Sequence, residues 1–228
     1  MIEIRRLSSL VTAYVLLAAT VTYASMPTYT FTGAVGTDFY NVLNWDDGLG
    51  GNPASIIDGG SGKIELCLEI DGSTAVAGSA VEFGAGMLAL KNSATFDIST
   101  GNLTFGTSSS FSVADSTLNL LSNAAQLAMN SGSTTDFNKA LINVGDDLFF
   151  RSQTSIVDSR IVSRADDIEF QSTSVINALS GTELETLDLA QIVSFVSSAT
   201  MTDRSIITGR VSMQTGVNIV AIDSDWNL

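Results

Sequence analysis

Along most of the chain, apolar residues recur two apart with a single residue between them: Ile64-Glu65-Leu66, Val81-Glu82-Phe83, Leu88-Ala89-Leu90, Leu103-Thr104-Phe105, Leu118-Asn119-Leu120, Leu148-Phe149-Phe150, Ile168-Glu169-Phe170 and Leu187-Asp188-Leu189, with Ile206 opening a further copy. Residues two apart on an extended strand share a face, so each triplet predicts a short strand whose outer members point inward. A second apolar pair often follows about eight residues later, as in Phe96 and Ile98, Phe111 and Val113, Leu127 and Met129, and Val193 and Phe195. Between these runs lie Ser, Thr, Gly, Asn and Asp, while proline occurs only as Pro27 and Pro53. That texture predicts many short strands joined by tight turns. The segment SGTELETLDLAQIVSF, 180–195, could pass for a short helix in isolation, but reads as mostly strand.

The triplets begin at 88, 103, 118, 148, 168, 187 and 206, and GDDLFFRSQTSIVDSRIVSR (145–164) aligns with ADDIEFQSTSVINALSGTEL (165–184) at an offset of 20. A repeat of this length with two or more strands and no helix cannot bury its apolar face alone and must stack on copies of itself. The prediction is an all-β, single-domain parallel β-helix, a β-solenoid with equivalent residues of successive coils about 4.8 Å apart. An antiparallel sandwich or jelly roll with evenly spaced strands is the competing reading. It would want two-residue hairpin turns, and Asp-Gly pairs such as Asp58-Gly59 and Asp71-Gly72 fall early in the chain. The solenoid reading places Leu103, Phe105, Phe111, Val113, Leu148, Phe150, Ile168, Phe170, Leu187 and Leu189 in one continuous core.

The first residues, MIEIRRLSSLVTAYVLLAATVTYAS, depart from this pattern. Arg5 and Arg6 precede an apolar run from Leu10 to Val21, and small residues occupy the −3 and −1 positions of a cut after Ala24. This is the make-up of a secretory signal peptide, and its apolar run is shorter than the roughly 20 residues that span a bilayer. An uncleaved anchor is the alternative. The predicted division is a signal-peptide helix at 1–24, a capping segment at 25–60 and solenoid repeats at 61–228, with the mature chain secreted, extracellular or periplasmic and not inserted in a membrane. The chain carries no sorting signal at its C-terminus, so the reading is free release or a truncated reading frame.

The net charge of −14, from 24 Asp and Glu against 10 Lys and Arg, repels phosphate backbones and anionic headgroups, which counts against nucleic acid and membrane-surface partners. Histidine is absent, which removes Ser-His-Asp and Cys-His chemistry and the common zinc sites. Cys67 is the one cysteine, so the chain can form no internal disulfide; within KIELCLEI it reads as a small buried residue rather than a nucleophile.

The segment FTGAVGTDFYNVLNWDDGLGGNPASIID, 31–58, opens on Thr32-Gly33 and carries Asn44-Trp45, Gly48, Gly50, Gly51 and Pro53 before Ile56-Ile57-Asp58. It resembles the N-terminal segment of secreted bacterial proteins with autotransporter-like or pectin-lyase-like right-handed β-helix repeats, with Phe31 where that pattern has its first aromatic. The resemblance implies that the segment begins the fold and caps its open first coil, which would otherwise expose unpaired strand edges and an apolar cross-section. Phe31, Phe39, Tyr40, Leu43 and Trp45 would supply the cover. An aromatic sugar platform formed by Trp45 with Asp46 and Asp47 is the alternative.

The 20-residue offset stacks Asp146-Asp147 on Asp166-Asp167. Two like charges 5 Å apart repel by about 3 kcal/mol at an effective dielectric of 20, so the patch would gain from a cation or from Arg151 or Arg164 nearby. Three readings follow: turn residues that bond local backbone, a structural Ca²⁺ site, or a lyase centre of the β-helical kind in which Ca²⁺ holds an acidic sugar and Arg or Lys takes a proton. The turn reading is favoured, with no catalytic or cofactor-binding residue assigned and Asp146, Asp147, Asp166 and Asp167 as the calcium candidates. Asn102-Leu103-Thr104 fits a glycosylation acceptor, with meaning only in a eukaryotic host. The expected function is a secreted, noncatalytic solenoid acting as a cell-surface, matrix or adhesion component whose partners are extracellular glycans or cell-surface components. A polysaccharide-active enzyme and a carbohydrate-binding module are the alternatives.

Overall fold

The computed structural model describes residues 26–57, 60–171, 174–188, 190–196, 199–202 and 205–213, and the strand backbones Ile219–Ala221 and Asp225–Asn227. The predicted signal peptide, 1–24, lies outside the described residues. Strands three apart in the chain lie side by side, giving a 10-stranded sheet A, an 8-stranded sheet B and a 7-stranded sheet C. Each coil therefore contributes three strands, and the chain is a parallel β-solenoid of about six turns. Except for the pairing of Thr28–Phe31 with Trp45–Asp46, which is antiparallel, the strand pairs are parallel. The sandwich alternative fails on that point.

Sheet C holds Val81, Leu103, Leu127, Leu148, Ile168, Val193 and Val211 in register, so a coil takes between 18 and 25 residues. The 15-residue steps of the sequence have a simple origin. Leu88–Leu90 belongs to sheet A, Leu103–Phe105 to sheet C and Leu118–Leu120 to sheet B of the following coil, so the step spans two sides of a three-sided turn. The Leu148 to Ile168 step of 20 is one full coil, as the offset predicts.

Two expectations need correction. Leu187 is 53% exposed, because Leu187 and Asp188 lie in a corner and the strand that stacks on Ile168–Phe170 is Ile192–Phe195. Leu189 lies outside the described residues. Likewise Ile206 pairs with Glu183 in sheet B, and it is Ile207 that is buried. The other eight residues assigned to the core are buried together.

Along the interior runs a file of phenylalanines. Phe83 stacks on Phe105 at 5.1 Å, and Phe150, Phe170 and Phe195 stack at 4.6 and 4.9 Å, all of them register partners in sheet C. Met129 interrupts the file in the intervening coil. There the aromatic contact detours through sheet A, from Phe105 to Phe111, Phe137 and back to Phe150. Each buried ring contributes about 1.5–3 kcal/mol, and each ring pair about 0.5–1.5 more.

The corners explain the abundance of serine. From sheet A to sheet B the chain turns through a left-handed residue: Gly72, Asn92 with Ser93, Asp115, Lys139, Asp158 and Gly181. Four of these corners, at Asp115, Lys139, Asp158 and Gly181, are followed by one small buried residue, respectively Ser116, Ala140, Ser159 and Thr182. The hydroxyl of one coil then accepts from the backbone of the coil before it, Ser116 Oγ from Ala94 N at 3.2 Å and Ser159 Oγ from Ala140 N at 3.0 Å. An inward corner thus keeps its N–H groups satisfied away from water.

At the N-terminal end, Phe31, Phe39 and Trp45 are buried and pack edge to face, and Phe39 stacks on Phe96 at 4.8 Å. Tyr40 is half-buried and donates its hydroxyl to Ala80 O at 2.6 Å. Leu43, expected in the cover, is exposed.

Candidate functional site

The corner from sheet A to sheet B is two or three residues long, but the corner from sheet B to sheet C varies from one residue (Gly209) to six (121–126), and is three (145–147) in the coil after the longest. The aspartate pairs sit on this variable corner, immediately before the sheet C strands Leu148–Phe150 and Ile168–Phe170. Their backbones serve the coil: Leu127 N donates to Asp147 O at 3.1 Å and Leu148 N to Asp167 O at 2.9 Å, while Ser163 Oγ lies within hydrogen-bond reach of Asp146 O and Asp166 O.

Their side chains divide. Asp167 Oδ1 accepts from Ile192 N at 2.7 Å, a corner role directed at the next coil rather than at its own turn. Asp146, Asp147 and Asp166 each bring a carboxylate oxygen within 4.8 Å of the other two, all half-buried. Gln126 of the preceding coil spans two of them, its Nε2 donating to Asp147 Oδ2 at 2.7 Å and to Asp146 Oδ2 at 3.3 Å. Burial, and then the charges of Asp166 and Asp146, push the Asp147 carboxyl up from 3.8 to about 6. Burial also raises Asp167, against the Ile192 N–H, which lowers it.

The neighbouring arginines are engaged elsewhere. Arg164 reaches two coils back to donate to Leu120 O. Arg151 lies 5.1 Å over the Phe149 ring and donates to Gln171 Oε1 and Asn130 Oδ1, its register neighbours at the far end of sheet C. Sheet C therefore presents an outer face three residues wide, with acids along one rim and an Asn130-Arg151-Gln171 ladder along the other. A set of three carboxylates and an amide offers only oxygen ligands plus the amide NH2, the chemistry of a hard cation if of any.

The other sequence candidates resolve differently. Trp45 is fully buried with Nε1 donating to Phe39 O at 2.8 Å, so it forms no sugar platform. Asp46 and Asp47 instead pin the glycine loop after it, Asp47 Oδ1 accepting from Leu49 N at 2.8 Å and Gly51 N at 2.9 Å, which holds its carboxyl below the usual value. Cys67 is buried on sheet A, and desolvation raises its thiol, which lowers thiolate reactivity. Outward rows are tied to themselves: Asn119 Nδ2 donates to Asp97 Oδ1 and Asn143 Nδ2 to Asn119 Oδ1, each at 2.8 Å. No signal in the triplets singled out Gln126, whose role depends on the register of two corners of unequal length. Compared with family models, with curated proteins and with solved structures, the chain finds no match in any of the three.

Proposed function

We propose that the chain is an exported, noncatalytic β-solenoid of a bacterial cell surface or matrix, acting through adhesion. The observation that supports this is the division of labour around the coil. Two residues suffice at most of the left-handed corners, while the sheet B to sheet C corner changes in length and charge from coil to coil. A constant scaffold that varies its exposed side chains along one edge suits recognition of an extended partner such as a surface glycan. The leader-like residues 1–24 supply the reason to place it outside the cytoplasm. The resemblance of residues 31–58 to exported β-helix proteins points the same way.

The test is expression of the tagged full-length chain in a Gram-negative host, followed by fractionation and N-terminal sequencing. Cleavage after Ala24 and recovery outside the cytoplasm is the expected outcome; an intact cytoplasmic chain would remove the reading. The lyase alternative draws on the three-carboxylate cluster. It predicts release of unsaturated uronides from polyuronates, substrates that a chain of net charge −14 repels.

A further inference from the structure

At the end of sheet B opposite the acidic corner, a groove of about 510 Å³ follows the corner from sheet A across successive coils. One wall is the left-handed row Asp115, Lys139, Asp158 and Gly181, each one residue past a register partner in sheet A. The other is an outward row of sheet B, Thr117, Leu141, Arg160 and Glu183. The turn itself does not ask for charge in the first row. Asp115, Lys139 and Asp158 have φ of 50°, 53° and 48°, and at the same place in other coils Gly72 and Gly181 serve without a Cβ to crowd the backbone. Aspartate tolerates this region, but lysine is uncommon there. Gly181 also leaves Asp158 Oδ1 the room that a Cβ would take. Among the described residues Lys139 is exposed and forms no ion pair, whereas Lys63, Lys91 and Arg160 are each paired with glutamate.

Charge decides the ligand class. The row runs negative, positive, negative at a coil spacing of about 4.8 Å, and Arg160 is held by Glu183 and Glu185 beside it. A polymer of one sign therefore meets a like charge along the row, whereas a hydroxyl both donates to a carboxylate and accepts from an ammonium. Thr117 adds a hydroxyl, and Leu141, half-buried between Thr117 and Arg160, offers an apolar contact to the C–H face of a sugar ring. Register stacking carries both rows along the solenoid axis, so the ligand must be extended. We propose that this groove binds an extended, uncharged glycan whose hydroxyls bridge Asp115, Lys139 and Asp158. The inference rests on the adhesion reading and names its ligand class. Binding is measured on the purified chain and export in cells, so either can fail alone.

The experiment is a chemical-shift titration of the isotope-labelled, purified chain with cellohexaose and mannohexaose, against hexamers of galacturonate and glucosamine and an alternating Glu-Lys hexapeptide. At least one neutral hexamer is expected to bind, moving the amides of Asp115, Lys139 and Asp158. Lys139→Gly keeps the left-handed turn, so it should weaken binding about tenfold through loss of a charged hydrogen-bond donor while the melting temperature stays level or rises. Glu169→Gln, on the outer face of sheet C, should leave binding unchanged. Failure of both neutral hexamers, shifts centred elsewhere, indifference to Lys139→Gly, or a charged hexamer or the peptide binding as tightly would each overturn the proposal. So would a lower melting temperature for Lys139→Gly, by making the lysine a support of the coil rather than of a ligand.

Discussion

Replacing Asp147 by asparagine should stabilise the protein at neutral pH, although it deletes a charge from a hydrogen-bonded site. Burial, and then the charges of Asp166 and Asp146 beside it, raise the carboxyl from 3.8 to about 6. A rise of about two pH units corresponds to about 3 kcal/mol, and solvent screening of a site this open reduces it to about 1–2 kcal/mol. The sign follows from proton counting. Between about pH 4 and 6 the folded state holds a proton at Asp147 that the unfolded chain has released, so stability falls as pH rises through that window. Above about 6 the folded state bears the full cost of desolvation and repulsion; below 3.8 both states are protonated and the cost vanishes. In Asp147→Asn the amide oxygen can still accept one of the N–H groups that reach the carboxyl, from Gln126 Nε2 or the Asp167 backbone. Urea denaturation at pH 7.5 and pH 4 is the assay. The variant should gain about 1–2 kcal/mol, a few degrees in Tm for a chain of this size, at the higher pH and almost nothing at the lower. A loss of stability at pH 7.5, or the same offset at both, would refute the claim that an ionised Asp147 destabilises the fold.

The register correction makes a sharper demand on two positions six apart. Val193→Asp should prevent folding, since it buries an unpaired carboxylate at a fully buried position, whereas Leu187→Asp should stay within about 0.5 kcal/mol of wild type by chemical denaturation. Equal damage at both would reinstate the Leu187-Asp188-Leu189 strand. For the cation reading, millimolar calcium should leave the melting temperature essentially unchanged, because the corner lacks EF-hand or glycine-aspartate nonapeptide spacing. A rise of several degrees, up to about 2.7 kcal/mol at a hundredfold excess over Kd and abolished in Asp146→Asn/Asp166→Asn, would establish a site.

The alternation of apolar residues was enough to identify the class of fold, because in a solenoid each strand's inward face depends only on its own period of two, and a coil buries that face against neighbours of the same pattern. Leu103, Phe105, Ile168 and Phe170 declare themselves this way, and the 20-residue offset between 145–164 and 165–184 is the true register in sheet C, where Leu148 meets Ile168, but it widens to 22 and 23 residues in the other two sheets, where Gln153 pairs with Val175 and Arg160 with Glu183. A signal for the third strand was present too, in the recurring pairs Gly72-Ser73, Asp115-Ser116, Asp158-Ser159 and Gly181-Thr182, each a left-handed residue followed by a small one. What local pattern could not decide was register across corners of unequal length. Leu187-Asp188-Leu189 and Ile192–Phe195 both alternate, and only stacking on Ile168–Phe170 with Phe195 against Phe170 selects the second. The same holds for the acids: the repeat places Asp146-Asp147 beside Asp166-Asp167, but the coil geometry sends Asp167 to the Ile192 N–H, brings in Gln126 from 20 residues earlier, and turns both arginines away. Those outcomes depend on which side chains meet between coils, and that is settled by three-dimensional stacking rather than by any residue's own neighbours in the chain.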